Sequence, residues 1–208
     1  EVTFTNEKLG SIQVQKYAAP ADDTPFDFTI SGTSFENPAP FVLQDPSANV
    51  ELFSDLKPGT YTITEADLNG WRLADLQISG DLDRGSNINL DTRTATIDLD
   101  PDEQIEVTFV NEKLSSIHVV KSATPANNTR FNFTLSSPVL KGSERFNLED
   151  PRSNAKSFSD LWSGVYTITE DELNGWNLAD LRISGDTDND SRIDLDARTA
   201  TINPVPVA

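Results

Sequence analysis

Lys16, Glu65 and Asn111 each occupy the last inward position of an otherwise apolar stripe in a predicted β-strand. Burying a lysine or a carboxylate costs several kcal/mol unless the group is paired, so polar groups at the ends of three such stripes indicate a paired cluster. An apolar site lowers the pKa of a lysine and raises that of a glutamate, and an unprotonated amine is a nucleophile. The alternative is that each stripe emerges at a sheet edge, where the three groups are solvated.

The elements that would position this cluster are short strands with one buried face. Apolar and polar residues alternate along the chain, which is typical of half-buried β-strands, and turn sequences such as Asp45–Pro46 and Asn69–Gly70 recur between them. Many short strands with frequent turns predict an all-β sandwich fold. The inward stripes are Ile12, Val14 and Lys16; Phe26, Phe28 and Ile30; Tyr61, Ile63 and Glu65; Ala95, Ile97 and Leu99; and Val107, Phe109 and Asn111.

The sequence repeats itself without a gap from its first residue onwards. Glu1–Leu9 returns as Glu106–Leu114, Tyr61–Trp71 returns as Tyr166–Trp176, and more than half of all aligned pairs are identical. A repeat of about 100 residues matches the size of one β-sandwich domain. We therefore expect two such domains in tandem.

The segment EVTF-x-N is predicted to be the last strand of a repeat, because EKL and the start of a new repeat follow it each time. This predicts a donor strand at residues 1–6, a first β-sandwich at residues 7–111, and a second at residues 112–208 that lacks its own closing strand. The short spacer between Asn6 and Ser11 spans at most about 15 Å. The equivalent spacer after the first repeat follows a strand that belongs to the preceding domain, and the same geometry is expected here.

Residues 1–6 are thus expected to complete the second repeat of a neighbouring molecule by donor-strand addition. Val2 and Phe4 would enter the neighbouring core, and Asn6 would end the inserted stripe. Such a contact joins different surfaces of the two partners, so it does not close and propagates as a fibre. The predicted partner is therefore another copy of this chain, in a head-to-tail homopolymer.

Three segments together resemble a known family: SI-x-V-x-K, GTYTITEADLNGW and EVTFVNEK. They are similar to the collagen-adhesin B-type, or SpaA-like prealbumin-fold, repeats of microbial surface proteins and pili, and the likeness covers nearly the whole chain twice. The resemblance implies two tandem prealbumin-like (Ig-like) β-sandwich domains. It also implies an intramolecular isopeptide bond, with Lys16 as nucleophile, Glu65 as proton-shuttling acid and Asn111 as electrophile.

The resemblance extends to a second triad that would join two molecules. The second repeat has Lys121 and Glu170 at the matching positions, and its asparagine would be Asn6 of the neighbouring subunit. A protonated glutamate would donate a hydrogen bond to the amide oxygen, polarise the carbonyl and pass a proton to the leaving ammonia. Each bond forms once, so we expect a structural protein and not an enzyme.

The resemblance implies an extracellular, cell-surface location for such a fibre or pilus subunit, and the composition is compatible with it. The formal net charge of −18 argues against nucleic acid and anionic membrane partners. No apolar run approaches the roughly 18 residues of a membrane span, and the absence of cysteine excludes disulfides and thiol chemistry. Two alternatives stay open: a two-repeat fragment of a longer adhesin or stalk protein, and a calcium-dependent binding module.

Two further patterns concern modification and metal binding. Asp186, Asp188 and Asp190 have the spacing of a calcium loop, which makes calcium the one candidate cofactor; a solvated acidic turn is the alternative. Glycosylation sequons of the N-x-S/T type begin at Asn127, Asn132 and Asn189.

Overall fold

The computed structural model describes residues 1–186 and 189–204. Within this range the chain is all-β and divides into two units, one at Glu1–Lys113 and one that begins at Leu114. None of the described residues belongs to a helix that is long and apolar enough to cross a membrane. The all-β class and the tandem arrangement predicted from the sequence are confirmed.

The first unit is a sandwich of two sheets. Its strands are β1 (Gly10–Ala19), β2 (Pro25–Gly32), β3 (Ala39–Gln44), β4 (Val50–Leu56), β5 (Gly59–Glu65), β6 (Trp71–Ser79), β7 (Asn87–Asn89), β8 (Thr94–Leu99) and β9 (Gln104–Lys113). One sheet has the order β4-β1-β9-β6 and the other the order β3-β2-β5-β8-β7. The closing strand β9 lies parallel to β1 on one side and antiparallel to β6 on the other. It therefore connects β6 to the rest of its sheet.

The core of the first unit lies between the inward faces of the two sheets. Every second residue from Gly10 to Lys16 and from Ile105 to Asn111 is buried, as expected for strands with one face on a core. Phe28 packs edge-on against Phe109, with ring centroids 5.1 Å apart, and this contact joins the two sheets. All five predicted inward stripes are buried, so their assignment from alternation is confirmed.

The second unit repeats the five-stranded sheet but not the whole of the opposing one. Its strands are β10 (Ser115–Val120), β11 (Arg130–Ser136), β12 (Glu144–Glu149), β13 (Ala155–Leu161), β14 (Tyr166–Glu170), β15 (Arg192–Asp194) and β16 (Thr199–Ile202). The larger sheet has the order β12-β11-β14-β16-β15, and the described residues of the opposing sheet form only β10 and β13. Residues 176–184 repeat the sequence of β6 almost unchanged, yet they form no strand.

The N-terminal segment lies outside every sheet. Residues 1–9 are exposed and precede β1. Val2 is 81% exposed and Phe4 89% exposed, whereas their repeats in β9, Val107 and Phe109, are fully buried. The assignment of residues 1–6 as a donor strand stays a prediction. The first unit itself extends past residue 111, because β9 continues to Lys113.

Candidate functional site

Strand register brings Lys16 and Asn111 onto the same inward face. In the parallel ladder of β1 and β9, Lys16 pairs with Phe109, and Ala18 pairs with Asn111. Glu65 is the last residue of β5 in the opposite sheet. Lys16 and Asn111 are fully buried and Glu65 is 1% exposed. The predicted burial of these three groups is confirmed, and the solvated-edge alternative is wrong.

Glu65 lies between the other two members of the cluster. Its Oε2 accepts a hydrogen bond from Asn111 Nδ2 at 3.1 Å, and its Oε1 lies 3.9 Å from Lys16 Nζ. The lysine amine donates to the carbonyl of Tyr17 at 2.6 Å and lies 4.0 Å from the centroid of the Phe26 ring. Among the described residues, Glu65 Oε1 and Asn111 Oδ1 have no hydrogen-bond partner.

This geometry supplies the groups needed for a transamidation, in which a lysine amine replaces the ammonia of a side-chain amide. An amine, a carboxyl group and a carboxamide share one water-poor site, and the carboxyl group contacts both of the others. In the structure, Glu65 accepts a hydrogen bond from the side-chain nitrogen of Asn111. The expected hydrogen bond from a protonated Glu65 to the side-chain oxygen of Asn111 therefore requires a 180° flip of that amide.

Burial dominates the electrostatics of the cluster. Desolvation and, to a smaller extent, Arg93 lower the pKa of Lys16 from 10.5 to about 8, and the attraction of Glu65 and Asp45 opposes this decrease. Desolvation raises the pKa of Glu65, and contacts with Lys16, Asn111 and Arg93 oppose that rise. Loss of solvent penalises the charged form of each group. A fraction of Lys16 is therefore an unprotonated nucleophile near neutral pH.

Arg93 is a fourth member of the cluster, and the sequence patterns do not predict it. Its Nη1 donates to Glu65 Oε2 at 3.0 Å, and its Nη2 donates to Asp67 Oδ1 at 2.5 Å. Its backbone φ is 55°, in the left-handed region that is uncommon for a residue other than glycine. The available signal is its recurrence in the segments DTRTATI and DARTATI, just before a strand of each repeat.

The second unit contains the same cluster without an asparagine among its described residues. Lys121 Nζ lies 3.1 Å from Glu170 Oε2, and Arg198 Nη2 lies 2.8 Å from Glu170 Oε1. The Lys121 amine is 4.3 Å from the centroid of the Phe131 ring, much as in the first unit. Asn6, the predicted third member, lies in the exposed N-terminal segment. Its pairing with this cluster stays a prediction.

In the described residues of the second unit, no strand occupies the position that β9 has in the first unit. The edge of β10 on that side has no partner strand in the described structure, and we call this edge, with the core face beside it, the closing-strand site. Val14 and Leu76 pair with β9 in the first unit and are buried. Their repeats, Val119 and Leu181, are both partly exposed. The core of the second unit is therefore incompletely covered on this side.

The predicted calcium loop is described only in part. Asp188 lies outside the described residues. Asp186 Oδ2 accepts a hydrogen bond from the backbone of Ser191 at 3.1 Å, and Asp190 Oδ2 accepts one from Asn203 Nδ2 at 2.5 Å. Both contacts stabilise the turn itself, and calcium binding stays a prediction.

The first unit has an acidic cluster in the corresponding turn. Asp81, Asp83 and Glu103 each place a carboxylate oxygen within 4.8 Å of the others. Asp81 accepts backbone hydrogen bonds from Arg84 and Ser86, and Glu103 accepts two more from neighbouring turns. Backbone donors of the turns therefore contact all three carboxylates.

The three sequon asparagines are exposed. Asn127 accepts a hydrogen bond from the Thr129 hydroxyl at 2.6 Å, Asn132 lies on the outer face of β11, and Asn189 has a φ of 57°. Their exposure is compatible with modification, which stays a prediction.

Residues 12–113 match the family model of the prealbumin-like fold domain. The matched range contains Lys16, Glu65, Arg93 and Asn111. The first unit belongs to this family, and the family resemblance noted in the sequence is confirmed; the second unit repeats its sequence. No curated protein sequence matches the chain.

Three solved structures are among those that are similar to this chain. The Bacillus anthracis TIE protein is 16% identical over 94% of this chain and 31% of its own, with a TM-score of 0.41. A Mobiluncus mulieris adhesin with disulfide, isopeptide and ester cross-links is 16% identical over 51% of this chain and 42% of its own, with a TM-score of 0.40. A streptococcal ancillary pilin is 13% identical over 80% of this chain and 54% of its own, with a TM-score of 0.36. The chain spans less than two thirds of each of them.

Proposed function

We propose that this protein is a structural subunit of an extracellular, cell-surface fibre or pilus-like filament. Copies would join by donation of residues 1–6 to the closing-strand site of the next subunit, and Lys–Asn isopeptide bonds would make the fibre covalent. The observation that carries the proposal is a mismatch: the β9 sequence recurs as an exposed segment, while the described residues of the second unit leave the position of β9 unfilled. Membership of the first unit in the prealbumin-like family supports a structural role.

Within the first unit, the proposed reaction joins Lys16 to Asn111. The neutral amine attacks Asn111 Cγ, the bond from that carbon to the side-chain nitrogen breaks, and ammonia leaves. Glu65 accepts one proton from the attacking nitrogen and passes it to the departing nitrogen, so its own protonation state is restored. Burial supports this step, because the dry site favours the neutral amine and excludes competing water.

Residues 1–6 match the closing-strand site in pattern and length. In β9, Val107 and Phe109 face the core and alternate with less buried residues. The same alternation in EVTFTN would turn Val2 and Phe4 inward, and six residues of strand span about 20 Å. A shift by one residue would expose both anchors, so the register is specified.

Burial of the two anchors supplies an important part of the expected affinity. Val2 and Phe4 are almost fully exposed in the free segment, and complete burial of such a side chain contributes about 1.5–3 kcal/mol. Ladder hydrogen bonds along the free edge of β10 add to this. Ordering of the segment opposes binding. The segment and the site each expose apolar surface that the other would cover.

Docking would also complete the second cluster. Asn6 would take the position that Asn111 has in the first unit, next to a Lys121–Glu170 pair whose Nζ and Oε2 atoms already lie 3.1 Å apart. The same exchange of ammonia for an amine would then form a Lys121–Asn6 bond between molecules. Because the donor and acceptor surfaces differ, each subunit donates to one neighbour and accepts from another, and a filament grows.

The decisive experiment compares substitutions on the two faces of the donor segment. Phe4→Asp would place a charge in the neighbouring core, so the full chain should lose assembly; Thr3→Asp faces outward and should retain it. Sedimentation at neutral pH measures assembly, and denaturing gel electrophoresis measures covalent linkage. Normal assembly of the Phe4→Asp chain, or a monomeric wild type, would contradict strand exchange.

A second candidate is a stalk segment of a longer tandem-repeat adhesin. The gapless repetition of the sequence favours it, since a further EVTF strand could follow the second repeat in the same chain. In that case the present chain is a monomer whose closing-strand site accepts an added EVTFTN peptide. Donation of residues 1–6 between copies instead requires assembly without any peptide, so the sedimentation experiment distinguishes the fibre subunit from the stalk segment.

A further inference from the structure

Arg93 and Arg198 occupy equivalent positions in the two units and have the same unusual geometry. Their φ angles are 55° and 57°, in the left-handed region that is uncommon for residues other than glycine. In each unit the arginine carbonyl accepts a hydrogen bond from the amide of the buried glutamate, at 3.1 and 3.0 Å. Each guanidinium also pairs with the carboxylate of that glutamate, at 3.0 and 2.8 Å. Other repeated positions, such as Asp23 and Asn128, share a positive φ in the same way, so the feature that needs an explanation is the guanidinium–carboxylate contact and not the backbone angle.

The charge balance of the cluster gives a reason for an arginine there. A buried carboxylate needs a counterion. If Lys16 served as that counterion, its amine would stay protonated and could not attack an amide. A guanidinium keeps its charge at every physiological pH and can take this place. The distances agree, because Arg93 Nη1 lies 3.0 Å from a Glu65 oxygen and Lys16 Nζ lies 3.9 Å from one.

We propose that Arg93 is the permanent counterion of Glu65 and thereby releases Lys16 as a neutral nucleophile. Arg198 has the same role in the second unit. The inference rests on the proposed isopeptide cross-link, in which the arginine is a positioning residue that acts through the glutamate.

The charged groups around Lys16 indicate the direction of the effect. Glu65 on β5, Asp45 after β3 and Arg93 before β8 face it. Asp45 is buried and accepts a hydrogen bond from the backbone of Ala18 at 2.9 Å, so it is engaged with the main chain. After desolvation, the two carboxylates raise the pKa of Lys16 and Arg93 lowers it. Removal of Arg93 should therefore raise that pKa.

Comparison of the two units supports the arginine as the constant partner. Where the closing-strand site is free, Lys121 and Arg198 each contact one oxygen of Glu170, at 3.1 and 2.8 Å. Where β9 is in place, an asparagine amide contacts the carboxylate and the lysine is 3.9 Å away, yet the arginine contact is kept. The lysine–carboxylate distance therefore differs between the two units, whereas the arginine–carboxylate contact is present in both.

The direct test measures the charge state of Lys16 without the reaction. In the full chain with Asn111→Ala the lysine has no electrophile, and its amine can be titrated by NMR of the side chain. Arg93→Gln should raise the midpoint, which is near 8 with the arginine present, and so reduce the fraction of neutral amine at pH 7. Arg93→Lys should restore part of the shift. An unchanged or lowered midpoint overturns the proposal.

A rate measurement in the second unit provides the kinetic test. A chain without residues 1–6 is mixed with saturating EVTFTN peptide, and intact mass follows the covalent adduct. Arg198→Gln should slow adduct formation severalfold, and Arg198→Lys should restore part of the rate, because a lysine keeps a cation beside Glu170. An unchanged rate in Arg198→Gln, or no recovery in Arg198→Lys, would overturn the proposal.

The two tests also separate the two proposals. If the unsubstituted acceptor forms no adduct while the Lys16 midpoint still rises with Arg93→Gln, the cross-link is wrong and the counterion role stands. If the adduct forms and the midpoint does not move, the counterion role is wrong and the cross-link stands.

Discussion

The chemistry of the Lys16 cluster depends on which titratable group holds the proton. Lys16 and Glu65 are both buried, and burial favours the neutral form of each, whereas the adjacent Arg93 favours the carboxylate form of Glu65. Their shared interior position follows from strand register, because β1 and β9 are parallel neighbours and β5 faces them from the other sheet. A carboxyl group that contacts both amine and amide can carry a proton between them.

Glu65→Gln should therefore block the cross-link while it preserves the volume of the side chain. The wild-type first unit should be lighter than its sequence by about 17 Da, the mass of one ammonia, and the variant should show no such loss by intact mass spectrometry. Asp67→Asn is the matched control, because it removes the exposed partner of Arg93 and leaves Glu65 in place; it should still react. A Glu65→Gln chain that loses the same mass would contradict the role of Glu65.

The buried lysine should also make stability depend on pH in the absence of the bond. In Asn111→Ala, the folded Lys16 releases its proton near pH 8 and the unfolded one near 10.5. Between these values the unfolded state binds more protons, so the free energy of unfolding should rise with pH, by up to about 3 kcal/mol. Below pH 8 this gain is absent.

The measurement follows Trp71 in a background without Trp162 and Trp176, so that only the first unit is observed. The double variant Lys16→Met, Asn111→Ala is the control and should show no such rise between pH 8 and 10.5. Equal pH dependence of the two chains would show that Lys16 is not the group responsible.

Sequence alone predicts the inward residues of the cluster but not its arginine. Lys16, Glu65 and Asn111 each continue an alternating apolar stripe, so period-two patterning assigns them to the core. Arg93 lies in the turn before β8, and its guanidinium reaches the glutamate through a left-handed backbone and a tertiary contact. Neither property has a periodic signature, and only the structure places this residue at the site.

At the scale of elements, two nearly identical sequences have different structures. Trp71–Ser79 forms β6 along the edge of β9, whereas the repeat at residues 176–184 forms no strand. A strand is stable only when its backbone groups find ladder partners, and the described second unit offers none beside this segment. Propensity predicts a strand in both places, and the absent neighbour accounts for the difference.

Occupation of the closing-strand site should therefore order residues 176–184. In a chain without residues 1–6, added EVTFTN peptide should slow amide hydrogen exchange in this segment by about tenfold or more, because new ladder bonds must open before exchange. The peptide EATATN lacks both apolar anchors and serves as the control. Binding of EVTFTN without new protection in residues 176–184 would contradict this view of the second sheet.

At the scale of the whole molecule, the proposal predicts a direction of linkage. Each covalent junction would join Asn6 of one chain to Lys121 of the next. The donor and the acceptor can therefore be removed in separate variants. A chain without residues 1–6 keeps an acceptor and has no donor. A Lys121→Ala chain keeps a donor and cannot accept covalently. On a denaturing gel each of these chains alone should be a monomer.

Mixing the two chains should produce one covalent dimer and nothing larger, because the dimer has neither a free donor nor a reactive acceptor. Its mass should equal the sum of the two chains less about 17 Da, for one ammonia released, and fragmentation should locate the bond between Lys121 and Asn6. Adding Asn6→Ala to the Lys121→Ala chain should abolish the dimer. Covalent dimers from either chain alone would indicate a different linkage. A mixture that stays monomeric while EVTFTN peptide still labels Lys121 would favour a strand supplied within a longer chain.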